Sequence, residues 1–194
     1  FCQPVDNKTA LRKMLGWQPD TLTAVLVGGG EGMGPLGKIA EAIDKARLHL
    51  QLVIICGRNR TLMSQLEAVQ WNNVTHINGF TQEMATYMRA ADFLISKAGP
   101  GTISEAFIAG LPIILYSKIP GQEDGNVDYV VSEGAGVWAP DPEKVVNTLR
   151  NWINNHVLRQ QVISTALKLA RPHASRQIAH LLVEKARTFD KVPG

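Results

Sequence analysis

Apolar, β-branched-rich runs without polar alternation recur along the first two thirds of the chain, at Thr23–Gly28, Leu50–Cys56, Val74–Ile77, Phe93–Ser96 and Pro112–Tyr116. A run apolar at every position marks a strand buried on both faces, as in parallel sheets. The intervening segments have helical period. Pro35–Leu48 places Ile39, Ile43 and Ala46 on one face, and Arg60–Ala68, Glu83–Ala90 and Gly101–Ala109 are shorter helices. Strands alternating with helices, joined by right-handed crossovers, predict an α/β chain with a Rossmann-like, doubly wound parallel sheet. Beyond Gly136–Trp138 the pattern turns helical throughout. Asp141 is the expected N-cap of a Pro142-led helix to Asn154, followed by Val157–Ala170 and Ala174–Lys191, with Pro172 breaking the last two apart.

Ahead of these elements, Phe1–Gln18 is polar with one short helical stretch around Thr9–Leu15. It reads as an interdomain lead-in over residues 1–20, opening into one ligand-binding domain over 21–194. The chain does not start with Met and lacks the features of a signal peptide, so a further segment is expected upstream. With 45% hydrophobic and 19% charged residues the composition is that of a globular domain. Its longest apolar stretches, Gln51–Cys56 and Leu111–Tyr116, fall far short of the roughly 20 residues that span a bilayer. Two cysteines, Cys2 and Cys56, are too few for a disulfide framework or a zinc cluster, and Cys56 in its apolar run reads as a reduced, buried thiol in a reducing compartment. The net charge of +3 suits anionic lipid or a phosphate ligand, but the Lys and Arg are scattered without a polybasic cluster and charge alone decides nothing, while no nucleic-acid partner is expected.

In a doubly wound fold, ligands bind beyond the carboxyl ends of the strands, which turns attention to the loops that follow them. The first is GGGEGMGP at Gly28–Pro35, where glycines let the backbone approach a phosphate and expose N–H groups at a helix start. The same glycines also suit a tight turn that serves strand–helix packing alone. Gly32, Gly34 and Gly37 satisfy G-x-G-x-x-G, yet the second strand ends Ile55-Cys56-Gly57-Arg58 without the acidic residue that would bind a dinucleotide ribose. Arg58 keeps an NADP-dependent oxidoreductase as an alternative. Gly32–Lys38 fits G-x-x-x-x-G-K, but Ile39 stands where a P-loop needs Ser or Thr. The second loop, KAGPGTISEA at Lys97–Ala106, sets a Gly99-Pro100-Gly101 turn before a helix with Thr102 near the cap. A diphosphate is the expected guest, held by free N–H groups and the helix dipole without a metal. Glu105, one turn along, is placed to accept hydrogen bonds from both hydroxyls of a ribose, or is a solvated helix glutamate. The third, IPGQEDGNVDYVV at Ile119–Val131, gathers Gln122, Glu123, Asp124 and Asn126, groups that suit sugar hydroxyls or an ordinary polar surface loop.

Together with ICGRN at Ile55–Asn59 and GLPIIL at Gly110–Leu115, these three loops resemble the monogalactosyldiacylglycerol synthases and their bacterial glycolipid-synthase relatives, in order and approximate spacing over most of Thr21–Gly136. Those enzymes are GT-B glycosyltransferases of family 28, a group that includes the UDP-N-acetylglucosamine transferase of peptidoglycan synthesis. The resemblance implies the C-terminal, UDP-sugar-binding half of an inverting hexosyltransferase. Its donor is UDP-galactose or UDP-glucose, its acceptor a diacylglycerol-type lipid met by an absent N-terminal domain, and no cofactor beyond the donor is implied.

By the same resemblance Gly99, Pro100, Gly101 and Thr102 contact the diphosphate, bordered by Gly30 and Gly32, and Glu105 holds the ribose. Gln122 and Asn126, with Glu123, meet the transferred sugar. Backbone at Gly79-Phe80-Thr81 meets uracil, with core packing as the alternative role of the Phe80 ring. The general base belongs to the absent half, and no catalytic residue and no metal ligand is expected in this chain. None of the five histidines falls in these loops, so they are expected to be hydrogen-bonded or solvent-facing. The expected location is cytoplasmic, peripheral at the inner face of a membrane, or the chloroplast envelope in a plant. A non-catalytic nucleotide-sugar-binding module is the other alternative.

Overall fold

The computed structural model describes residues 7–32 and 34–189. Residues 1–6 of the lead-in, with Cys2, lie outside the described residues, as do Met33 of the first glycine loop and Lys191 at the expected end of the last helix. The element order is α1 (Lys8–Met14), β1 (Thr23–Val27), α2 (Leu36–Lys45), β2 (Gln51–Ile55), α3 (Arg60–Glu67), β3 (Thr75–Asn78), α4 (Met84–Ala90), β4 (Phe93–Lys97), α5 (Pro100–Ile108), β5 (Ile113–Ser117), α6 (Asp124–Ser132), β6 (Gly136–Trp138), α7 (Pro142–Asn154), α8 (His156–Leu169) and α9 (Ala174–Phe189).

The strands form one parallel sheet in the order β3-β2-β1-β4-β5-β6, with Val25 of β1 in register with Val53 of β2 and Leu94 of β4. This is the doubly wound arrangement the sequence predicts. The winding reverses at β1, whose neighbours are β2 and β4, and that switch point is where a crevice opens above the strand ends. Alternate strand residues feed two cores. Leu26, Ile54 and Ile95 pack with Ile39 and Ile43 of α2 and with Leu149 and Trp152 of α7. Val25, Val53 and Leu94 pack with Met88 of α4, Phe107 of α5 and Val130 of α6. Burial on both faces is why β1 and β2 are apolar without alternation.

Two elements differ from the sequence reading. Gly136–Trp138 is a sixth strand pairing with β5, too short to show a period. Its Gly136 is required because a Cβ there would lie 2.4 Å from the Ile113 carbonyl oxygen. Within Ile119–Val131, read as a loop, helix α6 begins at Asp124. The polar run of Gln122–Asn126 conceals its start, whereas Val127 and Val130, three apart, are its buried face.

Residues ahead of β1 pack against the domain. α1 lies on α4, and Arg12, only 6% exposed, donates to the Ala90 carbonyl at 2.8 Å and pairs with Asp92. Asp92 also accepts from Lys8 at 3.0 Å and from the Thr23 amide at 2.8 Å, so one carboxylate joins α1, β1 and the start of β4. Cys56 is a buried free thiol, and burial, with the Glu67 charge, pushes its pKa up to about 11. Among the described residues no helix is long and apolar enough to cross a membrane.

Candidate functional site

The loops after β1, β2 and β3 meet the start of α5 around a cavity of about 150 Å³. Its lining includes Gly29, Gly30, Phe80, Thr81, Thr102 and Glu105, so residues from three separate loops of the sequence reading share one wall.

Why these loops approach each other is a matter of missing side chains. Gly32 has φ +59°, and a Cβ on it would fall 1.9 Å from the Cys56 carbonyl oxygen. Gly57 has φ +58°, and its Cβ would fall 2.4 Å from the Gly30 carbonyl oxygen. Only glycine takes both the left-handed conformation and that closeness. Backbone bonds complete the contact, with the Arg58 amide donating to the Gly30 carbonyl at 2.8 Å. Asn59 caps α3 by accepting from the Leu62 amide at 3.0 Å and donates its Nδ2 to the Gly32 carbonyl at 3.1 Å. Gly32 is therefore an inter-loop packing glycine outside the cavity wall, whereas Gly30 is in that wall.

α5 supplies the electrostatics. Its N-cap is Gly99, which offers no side-chain cap, and Pro100 occupies the first turn. The first backbone bond back to the cap runs from Ile103 to Gly99 at 3.1 Å, so the Gly101 and Thr102 amides have no intrahelical acceptor. Thr102 lies inside the helix rather than capping it. The positive end of the α5 dipole and these amides face the strand ends, an arrangement that attracts anions.

Glu105, one turn on from Thr102, is half-buried in the cavity wall. Burial pushes its carboxyl above the ordinary glutamate range. Phe80 is 54% exposed, so core packing is not its role.

On the other flank of α5 lies a second, broader groove of about 510 Å³, lined by Pro100, Ser104, Phe107, Asn126, Tyr129 and Arg171 among others. Asn126 sits there, its Nδ2 donating to the Ala98 carbonyl at 2.8 Å. Glu123 is buried at 8% exposure, and its carboxylate accepts from the Ile119 amide at 2.7 Å, fixing the turn that carries exposed Gln122. Asp124 next to it is held below the usual carboxylate range by hydrogen bonds from Lys118 and the Gly121 amide.

Of the histidines, His49, His156, His173 and His180 are exposed, as expected. His76 departs from that expectation. Its Nε2 is buried in β3 without a hydrogen bond, and burial pushes the imidazole pKa down. Among the described residues no three His, Cys, Asp or Glu side chains gather as a metal site. Met84 and Met88, in the cavity wall, carry no signal in the sequence beyond helix periodicity. Arg58, singled out for an NADP phosphate, is engaged by Glu31 at 2.8 Å.

Comparison with known proteins gives this geometry a family. The profile described as Glycosyltransferase family 28 C-terminal domain matches residues 23–182. The chain is 45% identical over 205 residues to a probable monogalactosyldiacylglycerol synthase 2, chloroplastic, of Oryza sativa subsp. japonica, covering 100% of this chain and 44% of that protein. It is 40% identical over 201 residues to monogalactosyldiacylglycerol synthase 1, chloroplastic, of Arabidopsis thaliana, covering 100% of this chain and 38% of that one. The chain thus spans less than half the length of these curated relatives. Among solved structures, WaaG, a glycosyltransferase involved in lipopolysaccharide biosynthesis, matches with a TM-score of 0.66 at 20% identity, over 98% of this chain and 52% of that one. Acinetobacter baumannii MurG matches with a TM-score of 0.65 at 23% identity, over 85% and 52%. These structures share the fold, the Rossmann-like half of a GT-B protein.

Proposed function

This chain belongs to the glycosyltransferase family 28 C-terminal domains, and from that premise we propose that it is the donor-binding half of an inverting, UDP-sugar-dependent hexosyltransferase that makes glycolipid. The carrying observation is Glu105, a half-buried carboxylate one turn from the uncapped N-terminus of α5 in the same cavity wall as Phe80 and Thr81. That combination suits a nucleoside diphosphate. Uracil lies on the backbone of Gly79–Thr81, and the ribose hydroxyls donate to Glu105. The diphosphate lies over Gly99–Thr102 and borders Gly30, with Gly32 holding that loop in place. Gln122, on the turn fixed by Glu123, and Asn126, in the first turn of α6, meet the hexose.

In the reaction an acceptor hydroxyl oxygen bonds to the anomeric carbon as the bond from that carbon to the β-phosphate oxygen breaks, its electron pair leaving with UDP. The hydroxyl proton passes to a base of the other half of the enzyme. What this chain contributes is the field. The amides and dipole of α5 stabilise the charge that grows on departing UDP, so no metal is needed for that purpose. The curated relatives named above are monogalactosyldiacylglycerol synthases, which supports diacylglycerol as acceptor, UDP-galactose or UDP-glucose as donor and a peripheral position at a membrane. In the intact protein that carries this domain, labelled hexose should pass from UDP-galactose or UDP-glucose to diacylglycerol in vesicles. Glu105→Ala should lower kcat/KM about tenfold to a hundredfold through the lost charged hydrogen bonds. Absence of transfer from either donor by the wild-type protein would refute the proposal.

A further inference from the structure

Arg58 lines neither depression described above, yet its side chain touches two loops that do. Its Nη1 is 2.8 Å from Glu31 Oε1 and 3.7 Å from where a Cβ on Gly30 would stand. Its Cζ lies 4.6 Å from the centroid of the Phe80 ring. The loops after β1 and β2 are already joined by glycine contacts and by the bond from the Arg58 amide to the Gly30 carbonyl. The loop after β3 is joined to the β2 loop at its root, where the Cys56 amide donates to the Asn78 carbonyl at 2.8 Å, and further out Arg58 contacts the Phe80 ring. Phe80 stands 54% exposed at the tip of the loop after β3, outside both hydrophobic cores.

We propose that Arg58 is a positioning residue for the nucleotide base, holding the Phe80 loop against the other two through its cation–π contact and thereby fixing the cavity width at the base end. Arg suits this role better than Lys because its planar guanidinium stacks on a ring face while one edge still pairs with a carboxylate. The inference rests on the UDP-sugar reading given above, since it assigns the cavity end at Phe80 to the base. Phe80→Ala removes the ring, Arg58→Ala removes the contact that holds it, and the two effects should be one effect.

The test is a double-mutant cycle on UDP affinity, measured by calorimetry, with the thermal midpoint of each variant as a folding control. Arg58→Ala and Phe80→Ala are each expected to weaken UDP binding about three- to fivefold, the scale of an exposed cation–π contact. The double variant should be no weaker than Phe80→Ala alone, and Arg58→Lys should recover only part of the loss, with thermal midpoints unchanged throughout. Multiplicative losses in the double variant would overturn the proposal, because Arg58 would then act on the ligand independently of the ring. So would Arg58→Ala binding UDP as the wild type does. A wild-type domain that is folded yet does not bind UDP would instead refute the underlying functional reading.

Discussion

At the scale of single residues, the proposed site turns on the protonation state of Glu105. Its carboxyl titrates above the ordinary glutamate range because burial disfavours the charge, while ribose recognition needs the charged, acceptor-only form. UDP affinity should therefore fall as the pH drops through the mildly acidic range, at a higher pH than an ordinary glutamate would give. Folding runs the other way. A carboxyl with a raised pKa binds its proton more tightly in the folded state, so its contribution to stability diminishes as pH rises through that window. Glu105→Gln should bind UDP more weakly at neutral pH and lose the share of pH dependence that belongs to the protein. Titrations at stepped pH on both forms, with UDP's own phosphate ionisation common to each, measure the difference. Equal pH dependence in the two would show that Glu105 does not contact the nucleotide. The residue was legible in the sequence from its position one turn beyond Gly99-Pro100-Gly101. Arg58 was legible only as a cation after a strand, because its contact with Phe80 joins loops 22 residues apart in number and has no periodic signature.

Among elements, α1 is tied to the domain by a charge cluster. Asp92 serves Arg12, Lys8 and the Thr23 amide, and its loss would leave the Arg12 guanidinium buried without its countercharge. Asp92→Asn is expected to cost about 3–5 kcal/mol, which for a domain of this size lowers the thermal midpoint by roughly 10 °C. Lys8 is 43% exposed, and Lys8→Ala should cost less than about 1 kcal/mol. Thermal unfolding of both variants followed by circular dichroism separates them, and equal small shifts would mean that the pairing does not hold α1. The same scale shows where sequence patterns stop. Five of the six strands and the helices between them are written in period and length. β6 is three residues beginning with Gly136, and the start of α6 is hidden in a run of polar residues that are needed to form a turn, with Glu123 buried to hold it.

For the molecule as a whole, the parallel sheet places the reversal of its winding at β1, and the cavity lies above that point because the loops leaving β1, β2 and β3 converge there with α5. The fold class followed from unalternating strands separated by helices. The joint placement of Gly30, Phe80, Thr81, Thr102 and Glu105 could not be read from spacing, since it depends on Gly32 and Gly57 letting two loops touch. The central claim is that this convergence is a nucleoside-diphosphate site, and calorimetric titration of the folded domain with UDP tests it most directly. The account predicts saturable one-to-one binding at submillimolar UDP that Glu105→Ala weakens at least about tenfold. No heat at millimolar UDP from a domain whose fold is confirmed by circular dichroism would contradict it.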